Sequence, residues 1–258
     1  MTWTALQAPK ITTNSFLNLF RSCTNFNGNI GNWNTANVTN MSSMFQSATN
    51  FNQNIGNWNT LSVTIMDSMF RSATNFNQDL NDWNVQNVTN MSLMFILATN
   101  FNGNISSWDT ANVTQMGAMF NSAANFNQNI GNWNTNNVTS MGQMFQNAIN
   151  FNQNIGNWNT GSATTMLRMF ENAPSFNQNI GSWNVSNVLT FKLFMGGKTP
   201  ATFSAVNLDA IYNGWSLRSV KTPITITFGT AKYTAASSTG RAILTDAPNN
   251  WVITDGGI

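Results

Sequence analysis

Tryptophan recurs at Trp33, Trp58, Trp83, Trp108, Trp133, Trp158 and Trp183, every 25 residues and without one insertion. The rest of the sequence keeps the same step. Phenylalanine follows it at Phe26, Phe51, Phe76, Phe101, Phe126, Phe151 and Phe176, and an aliphatic residue at Ile30, Ile55, Leu80, Ile105, Ile130, Ile155 and Ile180. Methionine pairs such as Met41/Met44, Met66/Met69 and Met91/Met94 each run straight into a phenylalanine, and a small residue (Ala48, Ala73, Ala98, Ala123, Ala148, Ala173) follows. A period between 20 and 50 residues implies an array whose units bury their apolar faces only against their neighbours. Cys23 falls in the small-residue slot, so it is expected to be a buried small hydrophobe rather than a nucleophile.

Two shorter periods can be separated within one unit. In residues 37–48 the apolar positions Val38, Met41, Met44, Phe45 and Ala48 mark one face of a short helical or 3-10 segment, with Asn37 as its N-cap. In residues 57–60 the alternation of Asn57, Trp58, Asn59 and Thr60 has the two-residue period of a strand. Valine replaces threonine in the last slot at Val85 and Val185, which points that slot inward and Asn57 and Asn59 outward. Residues 51–57, rich in asparagine and glycine, supply the turn.

Composition removes several classes of function. Only 7% of the 258 residues are charged, against about 25% in an ordinary soluble domain, and the net charge is +2. Nucleic-acid binding by counterion release is therefore not expected. No apolar run is long enough to cross a membrane, and the first ten residues lack the pattern of an export signal. With no histidine and a single cysteine, Ser–His–Asp and Cys–His catalysis are excluded. Asp79 and Asp82 occupy slots that are asparagine in neighbouring units, which reads as drift on a polar turn rather than a catalytic pair. No cofactor and no metal site is expected, and the chain reads as a non-enzyme.

The pattern Val-x-x-Met-x-x-Met-Phe-x-x-Ala-x-x-Phe-Asn-x-x-Ile-x-x-Trp-Asn-Thr resembles the BspA-type leucine-rich repeat of bacterial and phage surface proteins. The resemblance covers about residues 14–195. It implies an α/β repeat solenoid: a right-handed coil of the leucine-rich-repeat kind, a parallel sheet on one side, short helical segments on the other, and irregular caps. It also implies adhesion or attachment rather than catalysis. Surface members are exported, whereas a phage particle is released by lysis, so the expected location is the virion, with the cell surface or exterior as the alternative.

Three regions follow. Residues 1–25 form an N-terminal arm and half-repeat, in which Phe16, Leu19 and Phe20 take the Met-Met-Phe slots; residues 26–195 form seven repeats; residues 196–258 form an α/β cap. Within the cap, residues 204–215 read as a helix capped by Ser204, 223–230 as a strand, 236–244 as a helix and 250–257 as a strand. Its basic residues Lys198, Arg218, Lys221, Lys232 and Arg241 are either a solvated face or a docking patch.

Two outward rows make the candidate binding face: Asn32, Asn57, Asp82, Asn132 and Asn157, and Asn34, Asn59, Asn84, Asp109, Asn134, Asn159 and Asn184. Their amides either bond along ladders and satisfy one another, or present a flat, uncharged, hydrogen-bonding surface to a glycan or a protein. The expected partners are other virion or surface proteins and a host-surface glycan or protein, with homo-oligomers within an assembly as an open alternative. Glycan-binding adhesin and polysaccharide-cleaving solenoid remain as further alternatives.

Overall fold

The computed structural model describes residues 14–258. The expected arm at residues 1–13 lies outside the described residues, and the structure begins in the half-repeat.

Each 25-residue unit lies on the next. Parallel bridges run in one column from Ser15 to Asn40, Ile65, Asn90, Gln115, Ser140, Thr165 and Thr190, one residue pair per unit. No longer strand forms in the repeats, and the Trp-Asn-Thr segment expected to be a strand is a short link between two turns. Trp58 N–H closes one turn on Ile55 O at 3.1 Å and Val63 N–H closes the next on Thr60 O at 2.9 Å. The alternation read from the sequence still holds side chain by side chain, since Trp58 and Thr60 are buried and Asn57 and Asn59 exposed.

The Met-Met-Phe segment is a run of turns rather than a helix. Its N–H groups alternate between two uses. Met44 and Gln46 donate within the unit, to Met41 O and Ser43 O, whereas Met41, Ser43, Phe45 and Ser47 donate across to Ile65 O, Asp67 O, Met69 O and Arg71 O. An α-helix sends every amide back along its own axis and leaves none for a neighbour. Crossing is made possible by left-handed residues, at Ser43 and Ser47, Ser68 and Ser72, Leu93 and Leu97 and their equivalents, with φ from 52° to 61°. Each such non-glycine residue costs about 1–2 kcal/mol, which the inter-unit bonds and the core offset.

The core is built from columns. Met94, Phe95, Phe101 and their equivalents from Met44 onward are fully buried. Phe45 stacks on Phe51 of its own unit at 3.9 Å between centroids and on Phe70 of the next at 5.5 Å. Trp58 and Trp83 stack at 6.3 Å with 4° between their planes, as the 25-residue phase requires. From Trp58 to Trp183 each indole then reaches back one unit: Trp58 Nε1 donates to Ile30 O at 3.1 Å, Trp83 to Ile55 O at 3.0 Å, and so on to Trp183 and Ile155 O at 3.1 Å. Thr60 Oγ1 reaches forward and donates to Asn84 O at 2.9 Å. Cys23 departs from expectation. It is exposed, because it belongs to the first unit and none of the described residues covers it.

The cap consists of helix α1 (Ala205–Trp215), strand β1 (Thr225–Thr227), a 3-10 turn (Ala235–Ser237), helix α2 (Ser238–Thr245) and strand β2 (Val252–Thr254). Ser204 caps α1 by accepting from Asn207 N–H. β1 and β2 pair in parallel, and Ile226 of β1 bridges Phe191, so the cap adds two rungs to the column of bridges. α1 approaches the last unit closely enough that a Cβ at Gly214 would lie 2.0 Å from Gly181 O, so only glycine fits there.

Replacing Met94 by alanine removes a side chain with no exposed surface and should cost about 2–5 kcal/mol in chemical denaturation. Ser72→Val, which puts a branched side chain at φ 56°, should cost about 1–2 kcal/mol. A loss for Met94→Ala no larger than that of a surface substitution would contradict this packing.

Candidate functional site

The two asparagine rows are both on the surface, but they do different things. Asn32, Asn57, Asp82, Asn132 and Asn157 are exposed, and their side chains make no hydrogen bond within the described residues. The turn that Trp58 N–H closes on Ile55 O pushes Gly56 and Asn57 outward, and each unit repeats it. In the second row each side-chain oxygen accepts from the N–H two residues on: Asn59 from Leu61 at 3.1 Å, Asn84 from Gln86 at 3.0 Å, Asp109 from Ala111 at 3.1 Å. Asn34, Asn134, Asn159 and Asn184 do the same. These are turn caps, which use the oxygen and leave the amide nitrogen outward. Asn159 Nδ2 alone donates to another unit, to Asn136 Oδ1 at 2.7 Å. Neither row is the self-satisfying ladder.

That ladder exists in another column. Asn27 Oδ1 accepts from Asn52 N–H at 2.9 Å, Asn52 Oδ1 from Asn77 N–H at 2.9 Å, and the series continues through Asn102, Asn127 and Asn152 to Asn177. Gln78, Gln153 and Gln178 clasp the same oxygens from the unit above. The sequence carried a signal for it. The residue after each Phe26-type phenylalanine is asparagine in all seven units, whereas Asp82, Ser107 and Ser182 interrupt the first tryptophan-flanking row and Asp109 the second.

The family model described as "Mycoplasma protein of unknown function, DUF285" matches residues 14–123 and again residues 98–208. The chain belongs to this family. No curated protein and no solved structure gives a significant match. In this member the matched segments span the repeats and end inside α1, so the exposed asparagine rows lie on the part that the family defines. Such a repeat is consistent with a surface protein.

The five basic residues assigned to docking separate. Lys221 and Lys232 are exposed. Arg218, also exposed, donates to Ser182 O at 3.1 Å. Arg241 is half-buried, pairs with Asp255 at 2.7 Å and lies over the Tyr233 ring, so it is tied into the cap. Tyr212 donates to the same carboxylate, and burial together with that bond raises its pKa. Lys198 has to be withdrawn from the docking set. Only 2% of it is exposed. It occupies the slot that holds alanine in the units before, and its ammonium donates to the carbonyls of Ala173, which also accepts from Phe176 N–H, and of Phe176. Among the described residues no three histidine, cysteine or acidic side chains come together to hold a metal, and no helix is long and apolar enough to cross a membrane.

Burial pushes the Lys198 pKa down from 10.5 to about 7. Between about pH 7 and 10.5 the unfolded chain therefore binds a proton that the folded chain has released. Stability contributed by this group should rise with pH through that window and level off below about pH 7, where both states hold the proton. Lys198→Met, which keeps the length of the side chain without the charge, should flatten this rise in denaturation midpoints measured from pH 6.5 to 10. An unchanged pH profile would place the lysine in solvent.

Proposed function

We propose that this chain is a leucine-rich-repeat-like solenoid of the BspA type that works without catalysis, presenting a rigid polar face in adhesion or in the structure of a larger assembly, the phage virion above all. The observation that carries the reading is the first row. Asn57, Asn132 and Asn157 hold out amides that nothing within the described residues uses, each on a turn fixed by a buried tryptophan. A face fixed in this way loses little conformational entropy when a partner docks. It is uncharged over most of its length, so its binding should rest on shape and amide hydrogen bonds and vary little with salt. A host-surface glycan is the second reading, favoured by the same unused donors and acceptors, which match hydroxyl groups well.

Two measurements separate these readings. Mass spectrometry of purified particles should find the chain in stoichiometric amounts, and its absence from them would remove the virion role. On a glycan array, binding that Asn57→Ala, Asn132→Ala and Asn157→Ala together reduce by about tenfold, the loss of roughly 1.4 kcal/mol, would establish the adhesin reading. A wild-type chain that cleaves polysaccharide would overturn both.

A further inference from the structure

Each unit passes a fixed set of hydrogen-bonding groups to the next, and the two ends of the stack hold matching halves of that set. In the interior, the carbonyls of Ser42, Met44 and Gln46 accept from the N–H groups of Asn18, Phe20 and Ser22 in the unit before, at 2.7–3.1 Å. One period earlier the equivalent carbonyls are those of Leu17, Leu19 and Arg21, and they accept nothing within the described residues. Two donors are likewise unused there: the Trp33 indole, in the slot from which Trp58 donates to Ile30 O, and the Asn27 N–H, in the slot from which Asn52 donates to Asn27 Oδ1. Around them Leu17 and Leu19 are 51% and 47% exposed, and Phe20, Phe26 and Trp33 are only partly buried.

The last repeat carries the complement. By the ladder's own offset, the N–H groups of Leu193, Met195 and Gly197 address the slots of Leu17, Leu19 and Arg21. Ile180 O addresses that of Trp33, and Asn177 Oδ1 that of Asn27. The cap occupies three of these five positions. Thr227 O takes Met195 N–H at 3.0 Å, Trp215 Nε1 takes Ile180 O at 3.1 Å, and Ser204 N–H takes Asn177 Oδ1 at 2.9 Å. The N–H groups of Leu193 and Gly197 stay without a partner within the described residues. At these three positions the cap imitates the first unit of another copy.

The geometry points to head-to-tail self-association, in which the first unit of one chain displaces the cap of a second and continues its ladder. A second copy is the occupant because it supplies all five groups in register with an apolar surface to match. Head-to-head pairing would set three carbonyls against three carbonyls. The contact is heterologous, so it lengthens into a row rather than closing as a dimer. The cap acts as an autoinhibitory plug, fastened where Tyr212 of α1 and Arg241 of α2 converge on Asp255.

Sedimentation velocity of the full chain over a range of concentrations tests this, using Arg241→Ala and, independently, Tyr212→Phe to loosen the plug. Each should raise the weight-average mass at the highest concentration by about twofold or more over wild type, as a ladder of dimers and trimers. Adding Leu17→Lys and Leu19→Lys, which place charge on the exposed N-terminal edge, should return the chain to single copies without changing its thermal unfolding. Should wild type itself associate, the same two lysines must dissociate it. Oligomers that survive the lysine substitutions would overturn the proposal, as would single copies for both plug variants at every concentration.

Discussion

Everything in the repeats depends on the alternation of backbone amides between their own unit and the next. Phe45, Phe70 and Phe95 each donate to the following unit at 2.9 Å, while the residues on either side of each, such as Met44 and Gln46, close turns at home. No unit can satisfy its backbone alone, and none can bury its phenylalanines alone. Indoles reach back to the carbonyl of the Ile30 slot, threonine hydroxyls reach forward, and the Asn27 column joins successive units through side-chain oxygens. A stack tied in both directions loses several bonds at once when any unit opens, which makes neighbours cooperative.

The same constraint accounts for the scarcity of charge. Units in a bridged column lie about 5 Å apart, so one charged residue repeated in every unit would put like charges side by side, at roughly 1 kcal/mol per pair even in water. Asparagine meets the polar requirement without that cost. The acids present in the repeats, Asp67, Asp79, Asp82, Asp109 and Glu171, are scattered over different slots. The ends obey the constraint differently. At the C-terminus a non-repeating cap reproduces the next unit with unrelated elements, using Trp215 for the next indole, Ser204 for the next ladder amide and Thr227 O for the next carbonyl. At the N-terminus Leu17, Leu19 and Cys23 are exposed.

Phase and burial were legible in the sequence because both are set by side-chain periodicity. Met41, Met44, Phe45 and Ala48 point inward, as do Trp58 and Thr60. Local backbone was not. Chained four-residue turns return a side chain to the core every three or four positions, as a helix does, so Met41–Met44–Phe45–Ala48 reads equally well as either. Turn-formers at the left-handed slots (Ser43, Ser47, Ser68, Ser72, Asn147, Asn172) were the discriminating clue, masked by Leu93 and Leu97. Of the candidate face, the exposure of Asn57 and Asn59 could be read from alternation, but the division of labour between rows could not. It depends on which side-chain oxygen meets which N–H, a matter of tertiary geometry. Lys198 misled for a related reason: a basic residue in a cap suggests solvent, and only its register with Ala173 marks it as interior.

Native-state hydrogen exchange on the central units measures the alternation directly. The amides of Phe70, Ser72, Phe95, Leu97, Phe120 and Ser122, all turn residues by backbone shape, should exchange only on global unfolding and with one common free energy. The amides of Asn57 and Asn132, which no hydrogen bond within the described residues protects, should exchange fast. Rapid exchange at Phe95 and Leu97, as in an ordinary surface turn, would contradict the inter-unit ladder on which the structure rests.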